Sequence, residues 1–443
     1  MVTTLSRANP AAPHTVASQP ERQQRFATTP GRLRLVSLVL VGLFVLFGVL
    51  GTAALRARHS AARSVGLQSS PQLLDAQSLY LALADADATS SNAFLRAGLE
   101  SFGQRQQYLD DLTTASTKLA SISERADVSP TAQHAVNVIG SDLPKYAGLV
   151  EQARSNNRQG FPVGAAYLND ASSLMRSDML PRATELYEDA AQRLQDDYGR
   201  GSSWPAAAGI GLTFAVLLVA LVIAQIYVFT KSNRIINVGL FAAMVLVAVV
   251  GVWALRVLQN ETSALGRAQT HGSDIVQVLS TGRILLLHAQ GDEDLALIAR
   301  GGGPAFLVDL DYTLGKLGGP DGQKGLLGFA AKVVPPDDPA VRTAPPSRAY
   351  QHFVSAHDRV RNLDNIGHYP DAVALAVGGE TDDASALDAI LRDEIAYSNQ
   401  TLARESSAAR GGFAVPLVAF PIAALVGAVL MLLGLQLRIR EYR

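Results

Sequence analysis

The sequence predicts an all-α protein with four transmembrane helices and two tandem extracytoplasmic domains that read as four-helix bundles. Three observations predict it. Four segments carry no ionisable residue over lengths of about 20 positions or more, enough at ~1.5 Å per residue to cross a ~30 Å hydrocarbon core. The two long connections between them carry apolar residues at helical spacing. Strand-type alternation is scarce throughout.

Composition agrees. The chain is 48% hydrophobic and only 17% charged, against about 25% for a soluble domain. A net charge of −1 gives no footprint for nucleic acid. The absence of cysteine excludes disulfides, thiolate metal ligands and a cysteine nucleophile.

Taken in order, residues 1–34 form a proline-punctuated tail (Pro10, Pro13, Pro20, Pro30) that reads as disordered. The first span, 35–55, is longer than the apolar core of a cleaved signal peptide and reads as an uncleaved anchor. Domain one covers 56–204. Its stripes run through Tyr108, Leu112, Ala115, Leu119 and Ile122, then Ala135, Ile139, Tyr146 and Leu149 after an Ser129-Pro130 start. A third stripe holds Leu168, Met175, Leu186, Ala190 and Leu194. The second span, 205–230, meets the third, 235–255, through the short loop 231–234. Domain two covers 256–412, with stripes at Tyr350, Phe353, His357 and Val360 and at Leu387, Leu391, Ile395, Ser398 and Leu402. Its glycine- and proline-rich stretch 318–346 reads as a solvated loop. The fourth span, 413–437, carries Pro416 and Pro421 as expected kinks, and 438–443 ends the chain.

Basic residues set the orientation. The N-terminal tail is +4, with Arg7, Arg22, Arg25, Arg32 and Arg34 against Glu21. Lys231 and Arg234 mark the short loop, and the last six residues are +2. All three segments are therefore expected in the cytoplasm of a bacterial cell, and the two long connections, at −3 and −7, outside. Arg56, Arg58 and Arg63 depart mildly from the rule.

The halves repeat. Tyr80 to Gly98 aligns with Ile284 to Gly302 at constant offset, pairing Leu81 with Leu285, Leu83 with Leu287 and Arg96 with Arg300. Gly199-Arg200-Gly201 and Gly411-Gly412 precede the two return spans and are hinge candidates.

Candidate chemistry is sparse. The eight histidines are scattered, and His352 and His357 miss the spacing of a helical metal pair. Asp292-Glu293-Asp294 lacks the spaced oxygens of a calcium loop and reads as a solvated face. The glycine run before Lys324 lacks phosphate-loop order. No catalytic set, cofactor site or metal site is expected. Arg96 and Arg300, near the expected distal tips, are the ligand or partner candidates, since a guanidinium grips a carboxylate bidentately. Gln225, Gly239 and Ala243 are helix-packing candidates within the spans. The spans hold no Asp, Glu, Lys, Arg or His, which argues against an ion-coupled transporter.

This layout of length, four spans, two outer helical domains, short inner segments and arginine-rich composition resembles the GlnX family of actinobacterial membrane proteins. The outer domains also look like the sensor bundles of bacterial chemoreceptors and histidine kinases. The resemblance implies a non-enzymatic relay in which a solute-binding lipoprotein outside (GlnH) reports aspartate or glutamate, and a Ser/Thr kinase inside (PknG) receives the signal. A homodimer is a further possibility. The competing expectation is a structural or accessory subunit of a cell-envelope or export complex.

Overall fold

The computed structural model describes residues 29–96, 100–125, 129–202, 204–232, 237–300, 303–333 and 345–441. The tail through residue 28, Gly98 and Gly302 of the repeat, and Arg234 of the short loop lie outside them. Among the described residues every regular element is helical, and four helices are long and apolar enough to cross a membrane. The chain divides into two compact units. One comprises Met1–Ala54, Pro205–Arg256 and Val415–Arg443; the other comprises Leu55–Trp204 and Val257–Ala414.

The first unit is built from the apolar parts of α1 (Thr29–Ser64), α7 (Trp204–Ser232), α8 (Val238–Ala268) and α15 (Ala414–Glu441). Large apolar side chains such as Leu38, Leu212 and Leu425 stand exposed on it, as lipid-facing positions require. Its interior is fitted by glycines against rings. Gly51 lies under Phe420, Gly251 under Phe214 and Gly427 under Phe44. Phe47 and Phe420 pack with ring centroids 4.7 Å apart. Asn237 caps α8. Its Oδ1 accepts from Gly239 N at 3.1 Å and Leu240 N at 3.3 Å, and its Nδ2 donates to Gly434 O at 2.9 Å.

The second unit holds α2 (Ser70–Leu95), α3 (Phe102–Ser123), α4 (Pro130–Arg158), α5 (Val163–Leu174), α6 (Leu180–Ser202), α9 (Asp274–Ile298), α10 (Pro304–Leu317), α11 (Gly325–Val333), α12 (Pro346–Asn365), α13 (Tyr369–Leu375) and α14 (Thr381–Gly411). Helix starts follow local chemistry. Ser101 and Gln104 form a reciprocal capping box on α3, and Ser129 with Pro130 opens α4 as the sequence leads one to expect. The two predicted outer modules share one core here. Helices α2 and α9, equivalent in the repeat, pack on each other, and Leu74 of α2 joins the hydrophobic cluster of the second module. Ala153 and Leu168 of the first module cluster with Leu295 of α9. The reason is visible in composition. Both helices bury side chains around most of their circumference, α2 rich in alanine and leucine and α9 in leucine, with no broad solvent face to keep two bundles apart.

Among the described residues four π-helical turns interrupt the long helices: Val65–Ser69, Met175–Met179, Gln269–Ser273 and Ala376–Glu380. Each inserts an extra residue and re-aims the side chains beyond it. The turns at Val65–Ser69 and Gln269–Ser273 have the same offset as Leu81 and Leu285. The repeat is thus carried by backbone geometry as well as by residue identity.

Residues 318–333 correct the expectation of a solvated loop for their part of the stretch; residues 334–344 lie outside the described residues. The former include α11, which buries Leu327 and Ala330 in the second module's core. Their glycines turn with positive φ at Gly319, Gly322 and Gly325, and the Tyr350 hydroxyl lies 2.8 Å from the carbonyls of both Leu314 and Gly319.

Candidate functional site

The α2–α9 contact is polar where a bundle core is ordinarily apolar. Gln77 of α2 donates to Ser280 of α9. Further along, Arg283 of α9, 8% exposed, donates to Asp85 Oδ2 of α2 at 2.7 Å and to Asp388 of α14. Asp388 also takes Arg392 at 2.7 Å. Next comes Arg176, presented by the Met175–Met179 π turn. It donates to Asp87 Oδ2 of α2 at 3.4 Å and to Asp292 of α9. Ser172 Oγ adds a bond to the same Asp87 oxygen at 2.9 Å. Burial raises Asp85 and Asp292 to about 6, against the opposing pull of Arg283 and Arg176 respectively. Burial, with Arg176 nearby, lowers His288 to about 4, so its imidazole is neutral.

The last rung lies in the second module. His357 of α12, 2% exposed, bonds Glu293 Oε1 through Nδ1 at 2.9 Å and stands 4.0 Å from Glu380 Oε1, at the end of the Ala376–Glu380 π turn. Glu293 is raised to about 8 and Glu380 well above the usual carboxylate range, both chiefly by burial. Beside them Asp294 is fully enclosed and raised for the same reason. The expectation of a solvated acidic face is therefore corrected: Asp292, Glu293 and Asp294 are 0%, 3% and 4% exposed. Three consecutive acids on a helix point in three directions. Here every direction meets another helix, because α9 is central.

A cavity of about 170 Å³ opens in the first module, between the C-terminal part of α2 and helices α3, α4 and α5. Arg105, Arg154 and Arg158 line it together with Glu100, Tyr108, Ser90 and Asn157. Arg154 is paired to Glu100 and Arg105 to Glu151, whereas Arg158 makes no ion pair among the described residues. The Tyr108 hydroxyl is buried without a hydrogen-bond partner. Ser90 Oγ lies 3.3 Å from the hydroxyl of fully buried Tyr146. Ser90, which lines the cavity, donates through Oγ to the Asp87 carbonyl at 2.9 Å, so the cavity wall adjoins the residue that Arg176 holds.

The residues singled out from the sequence take the following places. Arg96 donates to the Val377 carbonyl of the second module's π turn and to Asn92 Oδ1 at 3.4 Å. Arg300 has φ +44 and lays its guanidinium 4.7 Å from the Tyr369 ring centroid. Both are thus engaged within the folded unit. Gln225 is partly buried in its span, with no hydrogen-bond partner at Oε1. A Cβ on Gly239 would meet Gly434 Cα and the Leu430 carbonyl at 2.6 Å, and Ala243 is fully buried. Gly199 and Gly201 lie inside α6 and Gly411 ends α14. Gly412 caps α14, against the carboxylate of Glu261.

Sequence reasoning missed the ladder and the cavity. One signal was available: the acids and arginines of α2 and α9 (Asp85, Asp87, Arg283, Asp292) sit in otherwise apolar helices. Polar side chains in such settings are paired ones more often than solvated ones.

The fold and this ladder define a multi-pass, all-helical membrane protein whose folded unit is cored by ion pairs. More particularly, residues 61–199 match the family model described as the actinobacterial sensor domain, which supports a sensor protein of actinobacteria. The match spans the first module, including the cavity, Arg96 and the Arg176 turn. No curated protein and no solved structure matches the chain.

Proposed function

We propose that the protein is a non-enzymatic transmembrane signal transducer. It takes an extracytoplasmic carboxylate ligand, of the aspartate or glutamate class, in the cavity of the first module, either free or handed over by a solute-binding lipoprotein. It then biases a cytoplasmic Ser/Thr kinase. Both chain ends lie in the cytoplasm in this reading. The observation that carries it is the polar path from the cavity wall through Asp87 and Arg176 to Asp292. A ligand that draws Arg154 or Arg158 inward shifts α4 against α2, and Arg176 passes the shift to α9. The energy available is only the ligand's differential affinity for the two arrangements, ordinarily ~1–3 kcal/mol.

The test is calorimetry of the purified full chain in lipid nanodiscs with L-aspartate and L-glutamate, with and without the lipoprotein. Arg158→Ala and Tyr108→Phe are expected to weaken binding about tenfold each, which is ~1.4 kcal/mol. Unchanged binding in both variants would remove the cavity from the reading. Co-purification with an export ATPase and with no kinase would favour an accessory envelope subunit instead.

A further inference from the structure

We infer that Glu293, His357 and Glu380 form a binding site for one divalent first-row transition-metal ion. The three ligands come from three different elements, α9, α12 and the Ala376–Glu380 π turn. One donor atom from each lies within 4.8 Å of the other two. Two ligands bound at ~2.1 Å in a tetrahedral field sit about 3.4 Å apart. His357 Nδ1 is 2.9 Å from Glu293 Oε1 and 4.0 Å from Glu380 Oε1, so shifts of about half an ångström bring both distances to that value.

A second observation points to a ligand. Glu380 is 4% exposed, and neither of its carboxylate oxygens is met by an N–H or hydroxyl donor; its close polar neighbour is a second carboxylate, that of Glu293. A buried carboxylate ordinarily accepts several bonds or faces a cation, and removing its hydration without compensation costs several kcal/mol. The groups within reach are the His357 imidazole, whose Nδ1 lies 4.0 Å from Glu380 Oε1, and the Glu293 carboxylate, which carries the same charge. A divalent cation held between the two carboxylates and the imidazole would give the Glu380 oxygens the partner that the protein does not supply. One nitrogen and two carboxylate oxygens suit Zn²⁺, Mn²⁺ or Fe²⁺ rather than Ca²⁺, which takes six to eight oxygens.

The site also has a structural address. Glu380 belongs to the π turn whose Val377 carbonyl is gripped by Arg96 of the first module. An ion that fixes the turn therefore fixes the surface that Arg96 holds. This inference does not depend on the proposed carboxylate ligand.

The experiment uses the full chain in nanodiscs, stripped with a chelator and titrated with Zn²⁺ against a chromophoric competitor. Co²⁺ follows as an absorption probe of the coordination sphere. We expect one ion per chain, a Zn²⁺-dependent rise in melting temperature, and at least a tenfold loss of affinity in Glu380→Gln and in His357→Gln. His368→Ala, in the exposed His368–Asp371 pair, is the control for surface binding and should leave affinity unchanged. Glu380→Gln conserves volume, and circular dichroism verifies that it folds. If the wild type takes up no ion, or takes it up equally well in both ligand variants, the site does not exist. A Zn²⁺-independent rise in melting temperature of Glu380→Gln, with no uptake by wild type, would assign the cluster to a shared proton and overturn the proposal.

Discussion

Arg176 of the first module's π turn donates to Asp292 on the central helix of the second, and also holds Asp87 on the central helix of the first. One half-buried guanidinium thereby joins buried carboxylates from both halves of the repeat, beside the Arg283–Asp85 pair. Its position depends on the extra residue of the Met175–Met179 turn. Without that residue the helix would rotate the side chain by about 100° away from α9.

Removing this cation strands two buried carboxylates. Arg176→Ala is expected to cost about 3–5 kcal/mol, because a broken buried pair leaves its partner uncompensated. Combining Arg176→Met with Asp292→Asn in a double-mutant cycle should give a coupling of about 0.5–3 kcal/mol. Urea denaturation of the purified full chain reads both. A loss below about 1 kcal/mol for the single variant would mean that water replaces the pair and that the link is not structural.

A pH dependence follows from the neighbouring rung. Asp111 is raised to about 8, first by burial and then by Asp85, with Arg283 and Arg392 opposing and Asp110 adding to the rise. Its Oδ2 has no hydrogen-bond partner. The folded state therefore binds this proton more tightly than the unfolded state, where an aspartate titrates near 3.9. Below the unfolded value the contribution is fully present, and it is lost as pH rises to about 8. Asp85 and Asp292, raised to about 6, act in the same sense over a lower window. The melting temperature is expected to fall between pH 5 and pH 8. Asp111→Asn should flatten that slope and stabilise the protein at pH 8 by on the order of 1 kcal/mol. A wild-type melting temperature that climbs over this range would contradict the assignment.

The parts legible in the sequence were those written in period and length. The four apolar spans, the Ser129-Pro130 helix start and the stripe of Tyr108, Ala115, Leu119 and Ile122 all appear as read. The repeat offset also appears in the backbone, at the Val65–Ser69 and Gln269–Ser273 π turns. What stayed hidden depends on which helix is central. Asp292, Glu293 and Asp294 look solvated because three adjacent acids cannot share one buried face. They are buried because α9 has helices on every side. The π turns leave no residue signature: VGLQS, MRSDM, QTHGS and AVGGE share no common residue pattern. Arg96 was visible as a repeated arginine, but its partner, a backbone carbonyl 281 positions away, was not.

The hinge candidates separate into two kinds. Gly199 lies inside α6 with nothing near a prospective Cβ, so Gly199→Ala should stabilise by about 0.5–1 kcal/mol through reduced chain entropy. Gly412→Ala instead drives a methyl group into the carboxylate of Glu261, which is 7% exposed and which burial raises to about 7. It should cost about 1–3 kcal/mol. Glu261→Ala in the same chain should relieve the clash. Signalling that is unaffected by Gly199→Ala but altered by Gly412→Ala would place the sensitive joint at the end of α14. Equal effects would make both positions hinges.

Within the membrane unit the decisive contact is between Gly239 of α8 and Gly434 of α15. The two backbones approach so closely that any side chain on Gly239 meets Gly434 Cα and the Leu430 carbonyl at 2.6 Å, and neither of these is a flexible group. The same approach lets Asn237 cap α8 and donate to the Gly434 carbonyl, so one pair of small residues supports two polar contacts in an apolar setting. Gly239→Val should force the helices apart, break the Asn237–Gly434 bond and destabilise by about 1–3 kcal/mol through overpacking, with the lost bond added. Gly209→Val, where a Cβ meets nothing within 4 Å, is the matched control and should not destabilise the protein. Thermal aggregation in detergent ranks the two. Cysteine pairs introduced at Leu240 and Leu435 in this cysteine-free chain report the separation directly, with crosslinking expected in the control background and lost in Gly239→Val. Crosslinking retained in Gly239→Val would show that α8 and α15 accommodate bulk at this contact and that the glycine pair does not set their distance.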